Sequence, residues 1–246
     1  SYKSPQQMFG SVIKEYFRAE KSHEFKSTMM VSIMPCTAKK YECARPEFVT
    51  KGEKDVDVVI TTQELATMIR EAGIVFSELE PEAPDMPFGL ASGSGVLFGV
   101  TGGGAEAVLR RCALERTQES LKELAFSGVR GMEGIKEASV TIEDKTLNLA
   151  VVHGLRNVDN LLEMIRNGEK QYDFVEVMAC PGGCVGGAGQ PIPPSTTTKN
   201  IRAKGIYKAD NVSQIKRSEE NPMITGLYNG LLKGKSHELL HCQHNR

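Results

Sequence analysis

No apolar run in these 246 residues approaches the roughly 20 that a membrane-spanning helix needs. The N-terminus lacks the charged-then-apolar pattern of a secretory leader, so the expected location is the cytoplasm. Charge of one sign is missing too: 30 Lys and Arg against 31 Asp and Glu leave a formal charge of -1, with the signs interspersed. Such a surface offers no large basic face for phosphates, and nucleic acid is not an expected partner. Cysteine is scarce. Six in a chain of this length are too few for a disulfide scaffold, and two of them fall in a glycine-rich cluster, which points to metal or redox use in a reducing compartment. No internal repeat is visible, and Ser1-Tyr2-Lys3-Ser4 has no initiator methionine, so the expectation is a processed or truncated piece.

What is present suffices for a sizeable core: 40% apolar and 25% charged residues suit one large or two modest globular domains. Residues 5–20 place Met8, Phe9, Val12, Ile13, Tyr16 and Phe17 at helical spacing behind Pro5, which predicts an amphipathic helix. MMVSIMP (29–35) predicts a short buried strand ended by Pro35, with Cys36 just past its end. Val56 to Ile60 reads as a second strand, Thr61 or Thr62 as a cap, and Glu64 to Ala72 as a helix closed by Gly73. LEPEAPDMP (79–87) is a surface loop, because its prolines remove donors and fix backbone angles. The glycine-dense 89–104 leads into a helix over 105–120, with Ala113 and Leu114 among its core positions. ASVTIE and LNLAVVHG predict a hairpin or adjacent strands, Val158 to Arg166 a helix stopped by Asn167-Gly168, and FVEVMA a strand. Beyond Gln190 a proline and threonine stretch without periodicity precedes a tail whose clearest helix is Met223 to Lys233. The alternation of strands and helices predicts an α/β fold with layered, largely parallel sheets and flanking helices.

The strongest chemical pattern is MACPGGCVGGAGQP (178–191), in which Cys180 and Cys184 stand four residues apart. If that interval forms a helical turn, both sulfurs emerge on one face, and the surrounding glycines let backbone amides approach an anionic cluster. An isolated C-x-x-x-C fits equally well a pair of buried or redox-active cysteines on a turn. A second motif, MPCTAKKYE (34–42), sets Cys36 at a strand end with Lys39 three residues on. A lysine there suits a thiolate-bound cluster with anionic ligands, since charge-assisted hydrogen bonds are about twice as strong as neutral ones. By itself it equally fits a solvated lysine beside a thiol.

Taken together, MPCTAKKYE and FVEVMACPGGCVGGAGQP, in this order and at this separation, resemble two signature motifs of the iron-only (di-iron) hydrogenases. SPQQMFG near the start and RSEENPMITGLYNGLL near the end are similar to the same family, so the resemblance covers nearly the whole chain. It implies the hydrogenase catalytic fold with its cofactor between two lobes, residues 1–191 forming an incomplete catalytic domain and 192–246 resembling the small-subunit segment. The implied cofactor is a four-iron, four-sulfur cubane joined to a di-iron unit with CO, cyanide and dithiolate amine ligands. Cys36 and Cys180 are the implied cubane ligands and Cys184 the bridging ligand. Lys39 is implied to hydrogen-bond a cyanide, and Pro5, Gln6, Met34, Pro35, Phe98, Met178 and Ala179 to line the cofactor.

The family's first motif, with two adjacent cysteines, is absent, and Ser1 falls beside a serine position of the usual proton path. The resemblance therefore implies a companion N-terminal segment that supplies the fourth cysteine and the proton donor. It also implies a ferredoxin-type or other iron–sulfur electron carrier and maturation proteins as partners. The expected activity is the reversible conversion of dihydrogen to two protons and two electrons. Rival readings within the family are a hydrogen-sensing or regulatory protein with little turnover, and a bare-cubane protein of electron transfer or assembly. Lys39 and the two methionines argue against the last. Two weaker patterns remain. Gly93-Ser94-Gly95 and Gly102-Gly103-Gly104 fit no phosphate-binding spacing and are expected to pack against the cofactor pocket. His237, His241, Cys242 and His244 are expected to be solvated or capping groups rather than a zinc site, and Cys43 and Cys112 ordinary buried thiols.

Overall fold

The computed structural model describes residues 1–19, 28–83, 85, 88–89, 91–112, 129–131, 133–142, 145–192 and 195–242. Its helices are α1 (Pro5–Ala19), α2 (Ala38–Ala44), α3 (Thr62–Glu71), α4 (Gly93–Leu97), α5 (Gly103–Cys112), α6 (Leu155–Arg166), α7 (Thr196–Val212), α8 (Pro222–Asn229) and α9 (Ser236–Leu240). The strands are β1 (Val31–Met34), β2 (Val49–Thr50), β3 (Glu53–Lys54), β4 (Val58–Thr61), β5 (Ile135–Ile142), β6 (Lys145–His153) and β7 (Phe174–Met178). Two compact units result: Ser1–Asp85 with Ala188–Ile192 and Pro222–Arg246, and Met86–Gly187 with Pro193–Asn221. No described helix is long and apolar enough to cross a membrane.

In the first unit, β1 and β4 pair in parallel with Val31 beside Val58 and Met34 beside Thr61. The expected strand is there, but it is not buried: Val31 and Ile33 are 43% and 52% exposed, and Ser32 is the residue that faces inward. A two-stranded sheet has one face on the core of Cys43, Val56 and Val59, with Met30 and Met34 packed against it. Thr61 caps α3, its hydroxyl accepting from Glu64 N–H while Glu64 accepts from the Thr61 N–H, a capping box that fixes where strand becomes helix.

Helix α1 forms where predicted, yet its packing differs from the apolar stripe. Val12 and Ile13 are buried, Phe9 is 46% exposed, and Gln6, Gln7, Lys14 and Glu15 are buried. The reason is electrostatic. Lys14 pairs with Asp57 at 2.7 Å and donates to the Lys54 carbonyl, while Glu15 accepts from Lys51, Lys235 and Arg18. Gly10 admits the Asp55 backbone, since a Cβ there would lie 2.2 Å from the Asp55 carbonyl oxygen.

In the second unit β5 and β6 form the predicted antiparallel hairpin, Ile135 opposite Val152, and β7 lies parallel to β6 with Leu149 beside Phe174. The α/β class holds, with mixed sheets: parallel pairing in β1–β4 and β6–β7, antiparallel in β5–β6 and β2–β3. Strand β6 is central and covered on both faces. Ala150 and Val152 pack with Leu161 of α6, while Leu149 and Val151 pack with Ala105 and Leu109 of α5. That position explains why LNLAVVHG reads as a nearly continuous apolar run.

Helix α5 ends at Cys112, and the predicted positions 113–120, including Ala113 and Leu114, lie outside the described residues. So do Pro84, Pro87 and His244. The tail helix predicted over 223–233 is α8, ending at Asn229. Sequence reading missed α7 altogether. Its Ser195 cap accepts from Thr198 N–H at 3.1 Å, but Ala203 and Asp210 are its fully buried positions, so it carries no apolar period to detect.

Candidate metal centre

Cys36 follows β1 through Pro35, as the sequence suggested, and is half-buried. Its backbone is held by Gly189, whose N–H donates to the Pro35 carbonyl at 3.1 Å and whose carbonyl accepts from Gln63 N–H at 2.9 Å. A Cβ on Gly189 would stand 2.7 Å from the Cys36 nitrogen, so glycine is required at that position. On α2, Lys39 Nζ lies 2.5 Å from Glu42 Oε2, and the other carboxylate oxygen of Glu42 accepts from Ser4 Oγ. Gln6 accepts from Ser32 Oγ at 2.9 Å through its carbonyl oxygen, while its amide Nε2 is buried with no hydrogen-bond partner. Its neighbour Gln7 is fully buried with both amide atoms unpartnered. Sequence reasoning passed over Gln7; the only signal was a second amide ahead of an apolar helix. Met34 packs against the core of its own unit, and Pro5 is exposed.

Cys180 and Cys184 do not share a helical turn. After β7 ends at Met178, the chain reverses at Gly182 and Gly183, with φ of 88° and 85°, and enters a single 3-10 turn at Cys184–Gly186. Only glycine takes such angles without strain. Gly183 N–H donates to the Cys180 carbonyl at 3.0 Å, which closes the loop between the two thiols. The loop is then laced to a neighbouring one: Thr101 N–H donates to the Gly182 carbonyl at 3.2 Å and Val185 N–H to the Gly99 carbonyl at 3.1 Å. A Cβ on Gly183 would meet the Thr101 nitrogen at 2.6 Å. Beneath it, Gly154 N–H donates to the Met178 carbonyl at 2.9 Å. Phe98, at the end of α4, is 47% exposed and no core aromatic. Ala179 is exposed, while Met178, Cys180 and Cys184 are half-buried.

The glycine stretches expected to pack against a cofactor meet protein backbone instead. A Cβ at Gly102 would be 1.9 Å from the Val129 carbonyl oxygen, and one at Gly103 would be 1.7 Å from that of Leu97. Buried Glu176 of β7 accepts from Gly102 N–H at 2.6 Å and Ala105 N–H at 2.7 Å. Burial pushes this carboxyl above the usual range, and the N–H groups of Ala105, Gly102 and Gly104 draw it back.

None of the six cysteines forms a disulfide. Cys43 is buried as expected, whereas Cys112 is exposed because it closes α5 on its open side. His237 and His241 stack at 4.7 Å, and among the described residues no group of three or more His, Cys, Asp or Glu converges on a point that could hold a metal ion. A cubane is bound at separate iron corners, so its thiolates need not converge as the ligands of a single ion do.

Comparison with known proteins gives the family. Residues 1–188 match the iron-only hydrogenase large subunit, C-terminal domain, and residues 197–246 match the iron hydrogenase small subunit. The chain is 44% identical over 98% of its length to the NADP-reducing hydrogenase subunit HndD of Solidesulfovibrio fructosivorans, covering 42% of that protein. It is 40% identical over its whole length to iron hydrogenase 1 of Clostridium pasteurianum, covering 44% of it. A solved structure of a variant of FeFe-hydrogenase HydA1 from Chlamydomonas reinhardtii superposes with a TM-score of 0.79 at 38% identity, covering 99% of this chain and 69% of that one. A more distant relative, 32% identical over the whole chain, is the cytosolic Fe-S cluster assembly factor narfl of Xenopus tropicalis, of which 53% is covered. The chain thus spans about half the length of the curated relatives it matches. With three quarters of its residues inside one catalytic-domain family and the same α/β fold as solved members, the chain belongs to the iron-only hydrogenases.

Proposed function

We propose that this chain is the C-terminal part of the catalytic domain of an iron-only hydrogenase, interconverting dihydrogen with two protons and two electrons together with a companion N-terminal segment. The observation that carries the reading is the state of three thiols. Cys36, Cys180 and Cys184 are half-buried, outside any disulfide, and set on loops whose backbone is fixed by glycine contacts and main-chain hydrogen bonds. Soft thiolates on preorganised loops are the donor set an iron–sulfur cofactor requires. The buried, unpartnered Nε2 of Gln6 adds a hydrogen-bond donor that nothing else in the first unit uses.

In this reading Cys36 and Cys180 hold the cubane and Cys184 joins it to the di-iron unit. When bound, that unit supplies the redox chemistry. The protein's part is ligation, orientation and exclusion of water. Glu42 orients the Lys39 ammonium, which would donate to the anionic cyanide ligands. Gln6, Pro5 and Pro35 would line the cofactor, and Met34, Met178, Ala179 and Phe98 would cover it. Residues 1–191 would form the catalytic part and 192–246 the small-subunit-like segment. The fourth cubane thiolate and the proton donor would come from the companion segment, electrons from a ferredoxin-type carrier, and the cofactor from maturation proteins.

The relative among cluster-assembly factors favours a second reading, a bare-cubane protein without turnover. One experiment separates the two. The chain is produced with the N-terminal segment of a related hydrogenase and the maturation proteins, then assayed for hydrogen evolution and for infrared CO and cyanide bands. Hydrogenase activity requires both, and Cys184→Ala is expected to abolish them while leaving the fold. CO and cyanide bands persisting in Cys184→Ala would refute the bridging role. A wild-type complex with a cubane but no bands would favour the assembly reading.

A further inference from the structure

Buried in β7, four residues before Cys180, Glu176 takes no part in the ligand set above. Its carboxylate accepts from Gly102 N–H at 2.6 Å and from Ala105 N–H at 2.7 Å, and is 8% exposed as a residue. Gly104 completes the contact, for a Cβ there would lie 3.0 Å from Glu176 Oε2. These are the first amides of α5, groups that a helix leaves unpaired and that favour a negative charge. Glu176 thus binds the start of α5 to the strand that delivers the two cysteines.

The segment it fastens is the one on which the cysteine loop rests. Immediately ahead of Gly102, Gly99 and Thr101 exchange hydrogen bonds with Val185 and Gly182, and Gly183 fits against Val100 and Thr101 only because it has no Cβ. The same side chain therefore closes a short circuit: β7, Cys180, Gly182, Thr101, Gly102 and back to β7. We propose that Glu176 is a positioning residue for the Cys180–Cys184 loop, setting the placement of both thiols through the amides of Gly102 and Ala105. The inference rests on the reading of those cysteines as cluster ligands. A carboxylate is suited to the task because it accepts from two N–H groups at once, whereas the isosteric glutamine offers one oxygen and turns an N–H₂ toward a donor. Groups outside a ligand set that orient it commonly alter metal affinity by about 10–100-fold when removed.

The test uses the full chain and two readouts. In the metal-free protein, hydrogen exchange at the Thr101 and Val185 amides reports the loop directly; Glu176→Gln is expected to accelerate both by about tenfold. After reconstitution with iron and sulfide, the same variant is expected to lose its cubane to a chelator about tenfold faster and to shift its electron paramagnetic resonance signal. Leu109→Ala, which weakens the α5 core without touching the loop, is expected to leave exchange at these two amides and the resonance signal unchanged, and Glu176→Asp to restore part of the effect. Should Glu176→Gln fail to fold, Glu176→Asp against Leu109→Ala carries the comparison. Wild-type exchange and a wild-type signal in the Glu176 variants would overturn the inference, as would an equal change in Leu109→Ala. Cys180→Ala tests the underlying reading separately: an unaltered cubane in that variant would remove the ligand assignment, while the exchange measurement would still decide whether Glu176 holds the loop.

Discussion

Lys3 and Asp55 form an ion pair at 2.7 Å whose side chains are 2% and 0% exposed, with Thr50 Oγ1 accepting a second hydrogen bond from the lysine. Removing one partner of such a pair leaves a charge buried alone, which costs about 3–5 kcal/mol. Lys3→Met is therefore expected to lower the unfolding free energy of the chain by that order, measured by urea titration, and Lys3→Met with Asp55→Asn to recover much of the loss. Glu15 carries a different kind of information. Burial raises its pKa, but hydrogen bonds from Lys235, Lys51 and Arg18 outweigh it and bring the carboxyl down from 4.5 to about 2. A carboxylate with a depressed folded pKa stabilises the fold above its unfolded value and loses that contribution as pH falls. Glu15 should thus lend stability on the order of 3 kcal/mol at neutral pH, fading between pH 4.5 and 2. Glu15→Gln is expected to flatten that acid limb in pH-dependent denaturation, and an unchanged slope would count against the ion cluster.

At the scale of elements, glycine placement and caps determine where strands hand over to functional loops. Thr61 ends β4 and caps α3, so Thr61→Ala is expected to cost about 1 kcal/mol, read by thermal unfolding. Gly183→Ala should act on the site rather than the fold. The substitution meets both a φ of 85° and a Thr101 nitrogen at 2.6 Å, so the loop must shift, and faster release of iron from the reconstituted chain is the expected outcome. Iron retention equal to wild type would show that the two thiols tolerate a displaced turn. These loops were only partly legible from sequence. The cysteines, their spacing and the glycines were visible, but the helical turn considered for them was replaced by a glycine reversal, because Gly182 and Gly183 answer to the backbone of residues 99–101, some 80 positions away in the chain.

For the molecule as a whole, the proposed enzyme is a joint product of this chain and a companion segment. The chain by itself is expected to evolve no hydrogen, and to do so once the companion and maturation proteins are supplied, as followed by gas chromatography. Hydrogen evolution from the chain alone would require a fourth ligand within these residues and would remove the companion from the proposal. Family, α/β class, ligand candidates, the β5–β6 hairpin and the α3 cap followed from sequence, since each depends on residues close together or on motifs of fixed spacing. Which charges are buried did not. Lys3 and Asp55 lie 52 positions apart, and Arg110 and Asp210, joined at 2.8 Å in a buried cluster with Glu106, lie 100 apart. The exposed valine and isoleucine of β1, the amides and charges on the buried side of α1, and the aperiodic α7 were likewise settled by neighbours that no local pattern encodes. The sequence by itself determined the chemistry of the site, because thiolate, ammonium and glycine act through their own type and spacing. Tertiary structure decided which backbone holds those groups in place, because the amides and carboxylates that do so are distant in the chain and meet only when it folds.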